Sequence, residues 1–155
     1  MTSTAIQRKV VPPDGLFVVY CPMVVGLGYF SPSMLSSLDD TFLNASFLYL
    51  CLESYLSQEL SDLEHYLMSP KLTPNYILRK FPPTRMLIAG LDPLRDEQLR
   101  FILRLAKLNI DIKATEYRYL MHTCTVHHKS PFFLNEAVKM LDNIISYICE
   151  LSIYT

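Results

Sequence analysis

The chain has 155 residues, one domain's worth and long enough to bury a real core. Half of the residues are apolar and the mean hydropathy is +0.20, oily for a soluble domain with 19% charge. Fourteen Lys and Arg stand against fifteen Asp and Glu, a formal net charge of -1 that gives no reason to expect nucleic acid or an anionic membrane as partner.

Residues 1–13 read as a polar lead-in closed by Pro12-Pro13. A strand is expected within 14–22. Asp14-Gly15 supplies a turn, and Leu16-Phe17-Val18-Val19-Tyr20 is an apolar run too short for a helix, the signature of a strand buried on both faces. Pro22 and Pro32 bracket a loop. Residues 31–68 form a helical segment, with helix expected from about Asp40 to Leu67 because Leu52, Tyr55, Leu56, Leu60, Leu63 and Leu67 fall mostly on one face. The apolar run from Phe42 to Leu52 is broken by Asn44 and Ser46 and falls short of the ~20 residues a membrane span needs, so no transmembrane segment is predicted. Prolines from Pro70 to Pro83 make a connector with little room for long helix.

Residues 84–155 read strand, helix, strand, helix. Arg85 to Ala89 is a strand. Leu99, Ile102, Leu103 and Ala106 mark a helix running to about Leu108, and Asp111 to Tyr117 alternates as a strand near a sheet edge. Ser130-Pro131 suits a helix start, and Ala137, Val138, Leu141, Ile144, Ile145 and Ile148 give the closing helix its apolar stripe. The order is the α/β pattern of about three parallel strands with flanking helices.

Cys21, Cys51, Cys124 and Cys149 are scattered, with no C-x-x-C pair and no secretory signal at the N-terminus. They read as reduced thiols in a cytoplasmic protein. Asn44-Ala45-Ser46 fits the glycosylation pattern but reads as a chance match in such a chain.

The chemistry concentrates in Gly90-Leu91-Asp92-Pro93-Leu94-Arg95-Asp96-Glu97 and, thirty residues later, His122. Each follows a strand, and in a parallel sheet the reactive groups gather beyond the carboxyl ends of the strands. An Asp and a His in that order match the second and third members of a hydrolase triad with chain order Ser, Asp, His. Asp92 has two readings: an N-cap for the helix that follows, or the carboxylate that accepts an imidazole Nδ1–H and fixes its tautomer. His122 is either a solvated or packed loop histidine or a general base. His122, Cys124, His127 and His128 have metal-ligand residue types, but their spacing matches no standard zinc pattern. Cys124 is a weak nucleophile candidate, because neighbours in a strand-like loop point to opposite faces. A nucleophile elbow requires G-x-S-x-G, yet the residues two after Gly15, Gly26, Gly28 and Gly90 are Phe17, Gly28, Phe30 and Asp92. A glycine-rich oxyanion loop is missing too.

These segments together resemble the C-terminal part of an α/β-hydrolase, specifically the hormone-sensitive-lipase-like esterases. The resemblance rests on Pro82-Pro83 before the strand, Gly90 to Glu97 after it, and Glu116-Tyr117 ahead of His122. Pro13-Asp14-Gly15-Leu16 with Tyr20 and Pro22, and Ser31-Pro32-Ser33 leading to Ser69-Pro70, complete it. It covers nearly the whole chain as a single partial α/β-hydrolase domain, with 31–68 as a cap-like segment. It implies that Asp92 is the triad acid and His122 the general base of a lipase or esterase acting on ester or acylglycerol substrates, without cofactor or metal. The family's G-D-S-A-G-G and H-G-G-G motifs have no counterpart here, and where the family usually has glycine and phenylalanine after the histidine, this chain has Thr123 and Cys124.

The expectation is therefore a truncated product, the C-terminal half of a carboxylic ester hydrolase, inactive alone and completed by a missing N-terminal half or another protein chain. In the complete enzyme it would lie in the cytoplasm or against a lipid surface. The alternative is a non-catalytic interaction protein derived from a hydrolase, binding a partner through the exposed edge of the Leu16 strand.

Overall fold

The computed structural model describes residues 2–26, 30–55, 66, 68–129, 131 and 133–152. Its centre is a three-stranded parallel sheet of β1 (Leu16–Val19), β2 (Thr84–Ala89) and β3 (Ile112–Tyr117), in the order β1-β2-β3. Leu16 stands opposite Thr84 and Ala89 opposite Tyr117, so β2 and β3 end together at their carboxyl side and β1 stops two residues short of them, with Val19 opposite Leu87.

Around the sheet lie α1 (Thr2–Gln7), α2 (Pro32–Ser36), α3 (Ala45–Tyr55), α4 (Asn75–Leu78), α5 (Arg95–Lys107) and α6 (Asn135–Ser152). The period-2 alternation of the central strand sorts its side chains between two layers. Leu87 and Ala89 pack with Tyr117, Leu120, Ala137 and Met140 on the α6 side. Met86 packs with Leu78, Phe101 and Leu105 on the α5 side. Every residue of β2 is buried, as a strand flanked on both edges and both faces must be.

Arg85 is the exception to apolar content in β2. Its guanidinium is fully buried and donates to Asp111 Oδ2 at 3.0 Å and Glu150 Oε1 at 2.8 Å, tying α6 to the amino end of the sheet. Burial works against the charge, but the Asp111 and Glu150 carboxylates outweigh it and hold Arg85 above its ordinary range.

Several expectations change. The 1–13 lead-in contains α1, whose Thr2 and Ser3 are buried, Ser3 Oγ lying 3.4 Å from Thr73 Oγ1. β1 is half-buried along its length rather than buried on both faces, because among the described residues it pairs only with β2. Helix in the 31–68 segment comes in pieces. The Asp40 carboxylate accepts the amides of Phe42 and Leu43 and makes a turn, and Asn44 Oδ1 accepts Phe47 N–H at 2.8 Å, so α3 starts at Ala45. Asn44 of the glycosylation-like triplet thus serves as a helix cap. Leu56, Leu60, Leu63 and Leu67 lie outside the described residues, as does Ser130.

The closing helix starts at Asn135, four residues after Pro131. Its inward stripe runs through Ala137, Met140, Ile144, Tyr147 and Leu151, while Ile145 and Ile148 are more than half exposed. The reason is docking angle. The i, i+3, i+7 row beginning at Ala137 meets Leu87 and Ala89. In the equally apolar row beginning at Val138 the first two members, Val138 and Leu141, are half-buried, and Ile145 and Ile148 are left facing outward.

Candidate active site

Three loops leave the carboxyl ends of β1, β2 and β3, and they carry Tyr20, Asp92 and His122 respectively. The backbone locks the second and third loops together. Gly90 N–H donates to Tyr117 O at 2.8 Å and Leu91 N–H to Leu120 O at 2.9 Å. A Cβ on Gly90 would sit 2.4 Å from Arg118 O, so only glycine lets the chains cross this closely. The crossing delivers Asp92 to His122: Nδ1 of the imidazole lies 2.8 Å from Asp92 Oδ2.

The two readings of Asp92 are compatible. The residue is fully buried, and its second oxygen, Oδ1, accepts Leu94 N–H at 2.8 Å just ahead of α5. It is not the N-cap itself, since that position falls to Leu94 and α5 begins at Arg95. A buried carboxylate is tolerated when both oxygens are engaged, and this one holds a helix entry with one oxygen and an imidazole with the other. α2 braces the same loop: Ser33 N–H donates to Asp96 Oδ2 at 2.9 Å and Ser33 Oγ–H to Pro93 O at 2.8 Å. Ser31 Oγ caps α2 by accepting Met34 N–H, which gives the Ser31-Pro32-Ser33 triplet its physical purpose.

After His122 the chain turns sharply. Thr123 is in the left-handed region at φ 60, and residues Cys124–His128 form a 3-10 turn rather than a strand-like loop. A left-handed conformation straight after the histidine is a position that favours glycine, and a β-branched threonine there is strained. Cys124 Sγ is buried beneath this turn, 2.9 Å from Tyr20 Oη, and burial pushes its pKa up to about 11. Such a thiol stays protonated and is a poor nucleophile. His127 meets the Phe42 ring edge-on at 4.9 Å, and His128 Nδ1 lies 2.6 Å from Thr125 O. Among the described residues no group of three or more His, Cys, Asp or Glu is placed to hold a metal ion.

Tyr20 carries more of the site than its sequence context suggests. Its ring lies 5.5 Å from the His122 ring, and its hydroxyl accepts Thr125 N–H at 2.9 Å. The hydroxyl also lies 3.2 Å from Met140 Sδ. Burial raises its pKa, so the phenol stays neutral and can both accept and donate. Gly90 stands in the sequence at the head of the Gly90 to Glu97 motif, but its close approach to Arg118 is visible only in the fold.

His122 and Thr123 open onto an apolar cleft of ≈ 670 Å³ walled by Phe42, Phe47, Leu48, Leu52 and Leu94. The volume and the apolar lining suit a small-molecule site with a few polar groups at one end.

Comparison with known proteins agrees with this architecture. Residues 1–126 match the family model described as alpha/beta hydrolase fold, and the chain belongs to that family. A curated relative, an esterase of Gibberella moniliformis (strain M3125 / FGSC 7600), is 31% identical over 124 residues, 79% of this chain and 38% of that protein. Among solved structures, brefeldin A esterase, described as a bacterial homologue of human hormone sensitive lipase, superposes with a TM-score of 0.81 at 22% identity over 99% of this chain and 44% of its own. Carboxyl esterase 2 of the mycorrhizal fungus Tuber melanosporum gives 0.76 at 19% identity, covering 90% of this chain and 46% of that one. The chain thus spans less than half the length of these relatives. Among the described residues no helix is long and apolar enough to cross a membrane.

Proposed function

We propose that this chain supplies the acid and the base of a serine carboxylic ester hydrolase, Asp92 and His122, to a nucleophile and oxyanion donors carried elsewhere. The observation that carries the reading is the 2.8 Å contact between His122 Nδ1 and Asp92 Oδ2 at the rim of an apolar cleft. With Nδ1–H held by the carboxylate, Nε2 is left to take a proton. In the complete site a serine Oγ attacks the ester carbonyl carbon and its proton passes to His122 Nε2. The imidazolium, stabilised by Asp92, returns that proton to the departing alcohol oxygen. A water then repeats the sequence on the acyl-enzyme. The apolar walls suit the acyl chain of a carboxylic ester or acylglycerol.

The sequence holds no G-x-S-x-G, so the chain alone is expected to show no triad-dependent hydrolysis. The test is complementation: the purified chain is mixed with the N-terminal half of a family esterase and assayed on p-nitrophenyl esters. Hydrolysis should appear in the mixture and vanish with Asp92→Asn or His122→Ala. Full activity in both variants overturns the assignment.

A second reading, an interaction protein that binds another chain, is favoured by a separate observation. The edge of β1 away from β2 has no strand beside it among the described residues, and Ile145 and Ile148 on α6 face outward. Both surfaces suit a partner chain. A monomer that stays soluble at high concentration with no partner would count against this reading and against a missing half alike.

A further inference from the structure

We infer that Tyr20 is a positioning residue for His122, holding the imidazole against Asp92 from the end of β1. The inference rests on His122 being the general base proposed above, and it adds a third residue from a third strand. Asp92 fixes one atom of the imidazole, Nδ1, and a single hydrogen bond leaves the ring free to swing about it. The Tyr20 ring, 5.5 Å away and tilted by 55°, blocks that swing from one side. The backbone carrying His122 needs its own anchor, because the strained left-handed Thr123 follows directly. Tyr20 Oη provides it by accepting Thr125 N–H at 2.9 Å. The same hydroxyl lies 2.9 Å from Cys124 Sγ and 3.2 Å from Met140 Sδ, so it is pinned to α6 as well as to the turn.

Tyr20 is itself a residue under constraint. Its φ is 52, a conformation tyrosine rarely takes, and it falls where the chain leaves β1. Strain of this kind persists only where surrounding contacts over-determine it. Here the contacts to His122, Cys124 and Thr125 lead to the histidine loop, and the one to Met140 leads to α6. A tyrosine retained only for packing would need neither the hydroxyl on Thr125 nor the ring beside the imidazole.

The experiment uses the whole chain in two variants, Tyr20→Phe and Tyr20→Leu, read by NMR. The signals followed are the His122 Nδ1–H proton and the Thr125 amide exchange rate. Tyr20→Phe keeps the ring and loses the hydroxyl. Its Nδ1–H signal should remain while Thr125 exchanges about tenfold faster, the size of effect one lost hydrogen bond produces. Tyr20→Leu should also lose the sharp Nδ1–H signal, with Leu87 and Met86 amides unchanged. A folded Tyr20→Leu with an unaltered His122 signal overturns the inference. If that variant does not fold, an unaltered Thr125 rate in Tyr20→Phe overturns it instead. In the complemented enzyme Tyr20→Phe should lower kcat and leave KM unchanged. A complemented wild type without activity would sink the hydrolase reading while the NMR result on Tyr20 still stands.

Discussion

Replacing Gly90 by alanine tests the geometry that brings the site together. The added Cβ would lie 2.4 Å from Arg118 O, 2.7 Å from its Cα and 2.8 Å from its carbonyl carbon. An ordinary contact begins near 3.4 Å, so the overlap is roughly 1 Å, and the obstructing atoms are backbone that cannot rotate away. The strain of overpacking costs about 1–3 kcal/mol. Separating the loops also stretches the Gly90–Tyr117 and Leu91–Leu120 hydrogen bonds, each contributing about 1 kcal/mol. A total of about 3–5 kcal/mol corresponds to a fall in Tm of roughly 6–20 °C for a chain of this size. Gly15→Ala is the milder comparison: the nearest atoms to its Cβ are in the Leu151 side chain, Cδ2 at 2.9 Å and Cβ at 3.1 Å, rather than backbone. Thermal melts followed by circular dichroism compare the two. A Gly90→Ala chain melting within 2 °C of wild type would refute the close-crossing argument, and with it the reason Asp92 reaches His122.

Other outcomes follow from single features. Thr123→Gly relieves the left-handed strain at φ 60 and should raise stability by about 0.5–1 kcal/mol, measured by urea denaturation. Hydrogen bonds from Arg85 and Lys113 hold the Glu150 carboxyl below its ordinary range. The unfolded chain therefore takes up a proton there before the folded chain does. Stability linked to Glu150 is present above the usual glutamate pKa and is lost as pH falls through the depressed folded value, and Glu150→Gln should flatten that acid limb in melts from pH 6 to pH 3. Cys51 and Cys149 are exposed, whereas Cys124 is buried with its pKa at about 11, so iodoacetamide at neutral pH should label the first two and spare Cys124.

Much of the fold was legible because local patterns report it directly. A short strand with the apolar run Met86 to Ala89, a glycine and an Asp-Pro leading into a helix can be read from residue types, and β2, α5 and β3 all lie within a residue or a few of their expected bounds. Which face a helix presents is less local. α6 has two apolar rows, and only its docking on Leu87 and Ala89 decided that Ala137 and Met140 turn inward while Ile145 and Ile148 do not. The breaks in the 31–55 segment depended on which side chains found a backbone amide, Asp40 and Asn44 at one place and Ser31 at another.

The candidate site divides the same way. Sequence by itself determined that an acid and a histidine would each follow a strand, because strand order and loop length are written in hydrophobic periodicity and in Gly and Pro placement. It also determined that no serine elbow accompanies them. Only the tertiary structure decided that Asp92 and His122 meet at 2.8 Å, that Gly90 must lack a side chain for them to do so, and that Tyr20 stands beside the imidazole. Those three facts depend on the relative heights of strand ends and on two backbones crossing, quantities to which residues 102 positions apart contribute together and which no local stretch of sequence records.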